Sequence, residues 1–144
     1  CFWHVEEIFR KTKGVKSTQV GYSGGMKQNP TYEDVCTDTT GHAESVEVDY
    51  DPKEISYEEL LKIFWNNHNP TTPNRQGPDI GTQYRSVVFF HTPEQEKMAL
   101  EMKMNLNLVA REKFNAEIIT EIKPAQEFYR AEEYHQQYFG KSNF

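Results

Sequence analysis

The stretch Glu44-Ser45-Val46-Glu47-Val48-Asp49-Tyr50 decides how this chain folds, because its apolar and polar side chains alternate cleanly. The two valines and Tyr50 face one way and the polar residues between them face the other, which predicts a half-buried β-strand. Asp51-Pro52 ends the strand. Glu44 has the same parity as the valines, so we expect its side chain to lie on the core side at the end of the strand.

Three amphipathic helices accompany this strand. The first begins after Cys1 and ends near Gly14, since apolar residues recur at helical spacing between them. Ser56 begins the second helix with a capping box, and Thr92 caps the third, with Pro93 at its first helical position. The predicted buried faces of the second and third helices comprise Tyr57, Leu60, Leu61, Phe64, Trp65 and His68, and Met98, Ala99, Met102, Leu106, Val109 and Ala110.

Further strands are predicted over residues 15–22, 87–90 and 117–122. Residues 26–42 have the composition of a polar loop. Residues 66–85 hold several prolines and glycines without periodicity, and an unstructured connection of that length in a compact domain indicates a functional loop. The succession of helices and strands predicts an α+β fold with too few strands for a doubly wound sheet.

Length, charge and cysteine content narrow the classes of protein. A chain of 144 residues is long enough for one domain with a sizeable core. A net charge of −6 without a Lys/Arg cluster argues against nucleic acid as a partner. No apolar run is long enough to span a membrane. Two cysteines without a C-x-x-C pair do not make a disulfide scaffold, so we expect a reducing cytoplasm and at least one working thiol. We also expect the protein to be a monomer.

The two cysteines differ in their expected reactivity. Cys1 directly precedes a helix, whose dipole favours an anion at this end and would lower the pKa of the thiol. Cys36 follows Glu33 and Asp34, whose negative charges disfavour ionisation of a nearby thiol. Cys1 is therefore the candidate nucleophile. For Cys36, a small buried residue and a redox role both remain open.

Thiol catalysis also requires a proton source for the leaving group. If Glu44 points inward, desolvation raises its pKa and keeps it protonated near neutral pH. The alternative is that the strand end twists and the Glu44 carboxylate reaches water. His42 and His4 are further candidates for acid or base chemistry, each weak alone.

Loop residues supply candidate groups for substrate binding. Tyr32 and Tyr84 can each donate a hydrogen bond while presenting an apolar ring. For Asp79 the alternative to a site role is that of a turn-former near Gly81. No ligand spacing among the cysteines and histidines supports a metal site, and no phosphate-binding or dinucleotide-binding motif is present.

Taken together, six blocks of the sequence resemble motifs of the peptide methionine sulfoxide reductases of the A type. They are Cys1-Phe2-Trp3, Gly21-Tyr22-Ser23-Gly24-Gly25, Asn29-Pro30-Thr31-Tyr32-Glu33-Asp34-Val35-Cys36, Gly41-His42-Ala43-Glu44, Gln76-Gly77-Pro78-Asp79 with Gly81-Thr82-Gln83-Tyr84-Arg85-Ser86, and Ala131-Glu132-Glu133-Tyr134-His135-Gln136. The resemblance implies an α+β sandwich, with flanking helices around a mixed β-sheet, related to the ferredoxin-like split βαβ plait. Residues 1–144 would form a single domain of this family.

The resemblance also implies a role for each site residue. Cys1 would attack the sulfur of methionine sulfoxide, and Glu44 would protonate the sulfoxide oxygen. Hydrogen bonds from Tyr32 and Tyr84 would assist this proton transfer, with Asp79 supporting the site. The S-methyl group of the substrate would lie against Phe2 and Trp3. The family acts on the S epimer of the sulfoxide.

The implied products are methionine and a sulfenic acid on Cys1. The family resolves this acid through a disulfide that thioredoxin reduces, so the implied partners are a sulfoxide, free or in an oxidised protein, and thioredoxin or another thiol such as dithiothreitol. No cofactor is implied. The Gly-rich tail that carries a recycling cysteine in many family members is replaced here by Lys141-Ser142-Asn143-Phe144, which leaves Cys36 or an external thiol to resolve Cys1.

Further departures from the family pattern concern the start of the chain and one loop. The glycine and strand that family members place before the catalytic cysteine are absent from residues 1–144, His4 replaces the second glycine of the first motif, and Asp38-Thr39 changes the loop before Gly41. Two other classes of protein stay open. Cys1 could use its own α-amino group as the base of an N-terminal-nucleophile hydrolase, or the chain could bind oxidised methionine without turnover.

Overall fold

The computed structural model describes residues 2–138, so the predictions for Cys1 and for the tail after residue 138 lie outside the described residues. The helices are α1 (Phe2–Arg10), α2 (Tyr32–Cys36), α3 (Tyr57–Asn66) and α4 (Pro93–Phe114). The strands are β1 (Val15–Ser23), β2 (Ala43–Tyr50), β3 (Arg75–Gln76), β4 (Asp79–Ile80), β5 (Val87–Phe90), β6 (Glu121–Pro124) and β7 (Tyr129–Arg130), and short 3-10 turns cover Thr82–Tyr84 and Glu133–His135. The predicted α+β class is confirmed.

The strands pair in both directions. β2, β1 and β7 form an antiparallel sheet in that order, β5 and β6 form a parallel pair, and β3 and β4 form a small hairpin. In the β1–β2 register, Val20 lies opposite Val46 and Tyr22 lies opposite Glu44. The alternation in β2 thus places its valines on the face that α1 and α3 cover, and Glu44 comes at the end of the same row.

One edge of β2 and one edge of β5 make no strand pairing within residues 2–138. A cavity of about 430 Å³ lies between these strands, and its lining includes Val46 and Val48 of β2 and Val87 and Phe89 of β5. The cavity therefore separates the antiparallel sheet from the parallel pair.

Apolar clusters join the helices to the strands. Phe2 of α1 packs with Val20 and Tyr22 of β1, and Phe9 packs with Ile55 and Leu60 beneath α3. On the other side, α3 and α4 meet β5 in a cluster of Leu61, Trp65, Val88 and Ala99. Full burial of a large apolar side chain stabilises a fold by about 1.5–3 kcal/mol. These clusters therefore supply most of the free energy that holds the helices against the strands.

The predicted N-cap hydrogen bonds of α3 and α4 form, but the reciprocal bonds of the capping boxes do not, since the Gln95 side chain accepts from the amide of His91 instead of Thr92. The amide of Glu59 donates to Oγ of Ser56 at 3.1 Å, and the amide of Gln95 donates to Oγ1 of Thr92 at 3.2 Å. The predicted buried face of α4 is only partly correct, since Ala99 is fully buried whereas Val109 is 44% exposed. α4 has its main contacts with α3, β5 and β6, and its C-terminal half covers less of the core than its apolar pattern suggests.

Residues 26–42 and 117–122 differ from prediction. The predicted polar loop contains α2, which begins with a capping box between Thr31 and Asp34. The last predicted strand starts four residues later than expected, because the amides of Ile118 and Ile119 donate to Asn107 and to Pro70 instead of to a strand. Hydrogen bonds outside the periodic pattern therefore determine the secondary structure of both segments.

The long connection after α3 is ordered by its own hydrogen bonds. Gln76 accepts from the amide of Asn69 at 3.0 Å and donates to the carbonyl of the same residue at 2.7 Å. The amide of Gly81 donates to the carbonyl of Asn74 at 2.9 Å. These bonds fix the hairpin of β3 and β4 and bring the turn that carries Tyr84 to the sheet. Within residues 2–138 no helix has the length and apolar character needed to cross a membrane.

Candidate active site

The first turn of α1 presents two aromatic side chains. Phe2 is buried, with its ring centroid 6.1 Å from that of Tyr22. The indole Nε1 of Trp3 donates to Nδ1 of His135 at 3.0 Å, and the Trp3 ring stacks on Tyr138 with centroids 3.9 Å apart. Trp3 is thus fixed in orientation by a hydrogen bond on one side and by stacking on the other.

Glu44 lies at the end of β2 and points toward this turn, as its parity predicts. The amide of Phe2 donates to Oε1 of Glu44 at 3.5 Å. Burial raises the pKa of Glu44 to about 7; the negative charge of Asp79 acts in the same direction, and the Phe2 amide acts against it. A carboxyl group with this pKa is partly protonated at neutral pH, so it can donate a proton to a bound group.

A small cavity of about 120 Å³ collects six of the eight predicted site residues. They are Phe2, Trp3, Tyr32, Glu44, Asp79 and Tyr84. Cys1 lies outside the described residues and precedes Phe2 in the sequence, and Cys36 does not line the cavity. The cavity combines an aromatic wall with hydroxyl and carboxyl groups, which suits a small ligand with one apolar end and one polar end.

Both predicted tyrosines have hydroxyl groups that hold their protons. Burial, followed by the neighbouring Cys36, raises the pKa of Tyr32 far above its usual value. Burial, followed by the charges of Glu44 and Asp79, also raises the pKa of Tyr84. A phenol that stays protonated can donate a hydrogen bond to an oxygen in the cavity.

The turn that carries Tyr84 is held by Asp38, a contact that sequence analysis did not identify. The amide of Thr82 donates to Oδ1 of Asp38 at 2.9 Å, and the Thr82 hydroxyl donates to the same oxygen. These bonds lower the pKa of Asp38. Asp38 adopts a positive φ of 62°, a conformation in which Asp and Asn are enriched.

The remaining candidates have other environments. Cys36 is the last residue of α2 and is exposed, so the interpretation as a small buried residue is wrong. His42 is buried, with Nδ1 accepting from the Gly25 amide at 3.0 Å and Nε2 bonded to the Lys27 carbonyl at 2.7 Å. Both of its nitrogens are occupied by backbone groups, so His42 does not act as the site acid or base. His4 is exposed and lies outside the small cavity.

Sequence analysis also missed two residues of the block 131–136. His135 is buried and contacts Trp3, and its ring centroid lies 4.5 Å from that of Tyr32. Glu132 accepts a hydrogen bond from the amide of Tyr32. The block resembles a family motif, but Glu132 is 100 positions from Tyr32 and His135 is 132 positions from Trp3, so the sequence gave no sign of these contacts. Within residues 2–138, no group of His, Cys, Asp and Glu side chains is arranged to hold a metal ion.

The α+β fold carries a carboxyl group that is partly protonated at neutral pH, next to an aromatic wall that follows Cys1 in the sequence. This combination is typical of an enzyme whose substrate has a small polar group beside an apolar one. A model of the peptide methionine sulfoxide reductase family matches residues 1–144. The chain is 60% identical over 141 residues to peptide methionine sulfoxide reductase MsrA of Methanoculleus marisnigri, covering 98% of this chain and 85% of that protein. Over 142 residues it is 58% identical to MsrA of Geobacter metallireducens, covering 98% of this chain and 86% of that protein.

Solved structures agree with this assignment. Methionine sulfoxide reductase A of Corynebacterium diphtheriae superposes with a TM-score of 0.95 at 40% identity, covering 99% of this chain and 71% of that one. The reduced form of Mxr1 from Saccharomyces cerevisiae superposes with a TM-score of 0.89 at 40% identity, covering 99% of this chain and 81% of that one. The chain belongs to the peptide methionine sulfoxide reductase family. The predicted enzyme class, an oxidoreductase that reduces methionine sulfoxide, is confirmed.

Proposed function

We propose that this protein reduces the S epimer of methionine sulfoxide, free or within proteins, with Cys1 as nucleophile and Glu44 as proton donor. The observation that carries the proposal is the environment of Glu44. Its pKa is raised to about 7 in a cavity that four aromatic side chains and Asp79 also line. A sulfoxide oxygen leaves sulfur readily only when it is protonated, and a neutral carboxyl group in this position supplies the proton.

The cavity suits both ends of the sulfoxide group. The S-methyl group would lie against Phe2 and Trp3, which form its apolar wall. The hydroxyl groups of Tyr32 and Tyr84 would donate hydrogen bonds to the sulfoxide oxygen. Burial is the main cause of the raised pKa of Glu44, and the negative charge of Asp79 adds to it, so Asp79 would support the acid.

The proposed reaction balances in atoms and electrons. The Cys1 thiolate attacks the sulfoxide sulfur and forms a sulfur–sulfur bond, while Glu44 transfers its proton to the oxygen. The sulfur–oxygen bond of the substrate breaks as the oxygen bonds to the Cys1 sulfur, and the sulfur–sulfur bond breaks with its electron pair returning to the methionine sulfur, so Cys1 is oxidised by two electrons and the substrate is reduced by two. Methionine leaves in the reduced state, and the oxygen remains on Cys1 as a sulfenic acid. A second thiol then displaces this oxygen as water and forms a disulfide, which an external dithiol reduces.

The resolving thiol is proposed to be Cys36 or an external thiol, and the external reductant is proposed to be thioredoxin. Exposure of Cys36 at the end of α2 favours its access to another thiol. Mass spectrometry after one turnover without reductant distinguishes the two routes. A loss of two hydrogens that disappears in Cys36→Ser indicates an internal disulfide, whereas a stable gain of one oxygen on Cys1 indicates an external resolving thiol.

The test of the function is reduction of methionine S-sulfoxide by the protein with dithiothreitol. We expect Cys1→Ser to abolish turnover and to leave the R epimer equally untouched in both proteins. Cys36→Ser is the matched control, and it should retain the first turnover because it does not remove the nucleophile. Full activity of Cys1→Ser would overturn the proposal, and binding of the sulfoxide without turnover by the wild-type protein would indicate a binding module.

We also propose that residues 1–144 act as one domain, as a monomer in the cytoplasm and without a cofactor. The match of the family model to residues 1–144 supports a single domain. A reducing compartment would keep the Cys1 thiol available for reaction.

A further inference from the structure

Glu132 connects Tyr32 of the candidate active site to Tyr22 of β1 without lining the cavity. The hydroxyl of Tyr22 donates to Oε1 of Glu132 at 3.0 Å, and the amide of Tyr32 donates to Oε2 at 2.9 Å. Each carboxylate oxygen therefore has a different partner. The hydrogen bonds from Tyr32 and Tyr22 outweigh burial and lower the pKa of Glu132, so the group is ionised at neutral pH and accepts both bonds.

The segment around Glu132 is itself fixed to β1. The amide of Ala131 donates to the carbonyl of Val20 at 2.9 Å. The side chain of Gln136 accepts from the amide of Val20 at 2.9 Å and donates to the carbonyls of Val20 and Ala131 at 2.8 and 2.9 Å. Gln136 is buried, so water does not compete for these bonds. The Glu132 carboxylate thus has a rigid base on the central strand of the antiparallel sheet.

Tyr32 depends on such an external contact. It is the first residue of α2, a helix of only five residues, and helices this short are not stable alone in water. The Thr31 cap bonds to the amide of Asp34 and leaves the Tyr32 amide without a partner inside the helix. Glu132 supplies that partner. The Glu132 carboxylate therefore fixes the backbone from which the Tyr32 ring extends, while the ring itself packs against His135.

Tyr22, the second partner of Glu132, is the cross-strand neighbour of the proton donor Glu44. Tyr22 is fully buried in β1 and lies directly opposite Glu44 in the β1–β2 register. One carboxylate thus bonds to the strand neighbour of Glu44 and to the backbone of Tyr32. These two hydrogen bonds of Glu132 therefore help to set the distance between the Glu44 carboxyl group and the Tyr32 hydroxyl.

We infer that Glu132 is a positioning residue, which holds the Tyr32 hydroxyl at the place where it meets the substrate oxygen beside Glu44. The inference rests on the proposed function, in which Tyr32 donates to the sulfoxide oxygen. A catalytic group displaced by about 1 Å can lose up to about a hundredfold in rate, so these two hydrogen bonds affect catalysis although Glu132 does not touch substrate.

The test compares single-turnover rates of methionine S-sulfoxide reduction, which do not depend on recycling of Cys1. We expect Glu132→Ala to lower this rate about tenfold, since the displacement of Tyr32 is partial. Glu132→Gln should restore most of the rate, because its amide oxygen can accept from the Tyr32 amide while its NH₂ group donates to the Tyr22 hydroxyl. Glu133→Gln is the matched control: its exposed side chain bonds to Arg130, and its rate should stay at the wild-type value.

A double-mutant cycle separates positioning from a general effect on folding. In a Tyr32→Phe protein, Glu132→Ala should cost little further rate, because the hydroxyl that it positions is gone. Equal losses in both backgrounds would overturn the inference, as would a wild-type rate in Glu132→Ala. If Tyr32→Phe alone keeps the wild-type rate, the proposed role of Tyr32 fails instead. If Glu132→Ala does not fold, Glu132→Asp replaces it in the cycle, since its shorter carboxylate cannot reach both partners.

Discussion

The amide of Phe2 donates to Oε1 of Glu44 at 3.5 Å, although the two residues are 42 positions apart in the sequence. This contact places the proton donor at the first turn of α1, beside the sequence neighbour of Cys1. The hydrogen bond favours the ionised carboxylate, yet burial is the stronger influence and leaves the pKa of Glu44 at about 7. Glu44 is therefore a group that changes its protonation state in the range where the enzyme works.

The rate of sulfoxide reduction should fall as the pH rises through the pKa of Glu44. Because the protonated carboxyl is the active form, activity is expected to be retained below about pH 7 and to decline above it. Glu44→Gln should lower the single-turnover rate at pH 6 by at least about a hundredfold, the usual contribution of a general acid. The decline near neutral pH should also vanish, and a variant that keeps it would show that another group is responsible.

Asp79 should shift the pH dependence of the rate through its charge, without transferring a proton itself. Its negative charge disfavours ionisation of Glu44, so Asp79→Asn removes one cause of the raised pKa. We expect the decline in rate to move to lower pH by less than a full unit, because burial, the largest cause, remains. Rates measured from pH 5 to 9 with Asp79→Asn and wild type check this. A shift to higher pH would contradict the assigned direction.

The fold and the site were predictable from the sequence to different degrees. The β2 alternation and the Ser56 and Thr92 N-caps are local patterns, and each appears in the structure as predicted. The parity of Glu44 indicated a carboxyl group whose partial burial raises its pKa, although Ala43, with the opposite parity, is fully buried at the same end of the strand. Local periodicity therefore gave the main elements and one chemical property of the site.

Contacts between distant segments could not be predicted in this way. The bond between Trp3 and His135 joins residues 132 positions apart, and the bond between Asp38 and Thr82 joins two irregular loops. Neither involves a periodic pattern, so only the folded arrangement of the strands reveals it. The short helix α2 was missed for a related reason, since five residues are too few to show helical periodicity.

The stability of the protein should also respond to Glu44. Its folded-state pKa is raised above 4.5, so the folded protein binds this proton more tightly than the unfolded chain. The resulting stabilisation is complete below about pH 4.5 and is lost as the pH rises through about 7. A rise of this size corresponds to at most about 3 kcal/mol. Urea unfolding at pH 5 and pH 8 should show Glu44→Gln gaining on wild type at the higher pH, and a constant difference would contradict the shift.

His135 should influence substrate binding through Trp3. His135→Phe keeps an aromatic ring but removes the Nδ1 acceptor of the Trp3 indole. A lost neutral hydrogen bond costs about 1 kcal/mol, so we expect KM for methionine sulfoxide to rise roughly fivefold with a smaller change in kcat. His135→Gln offers a carbonyl oxygen to the indole and should recover part of the affinity. An unchanged KM in His135→Phe would mean that stacking on Tyr138 alone holds Trp3.

Glu6 should matter for stability more than its neighbour Glu7, although both are acidic residues of α1. Glu6 is fully buried and accepts from Oγ1 of Thr18 at 2.9 Å and from the amide of Gln137 at 2.7 Å. Glu6→Ala leaves these donors buried without an acceptor, so the free energy of unfolding should fall by about 2–3 kcal/mol. Glu7 pairs with Arg10 at the surface, and Glu7→Ala should cost less than about 1 kcal/mol. Urea denaturation measures both values, and equal losses would show that the buried hydrogen bonds of Glu6 do not stabilise the fold.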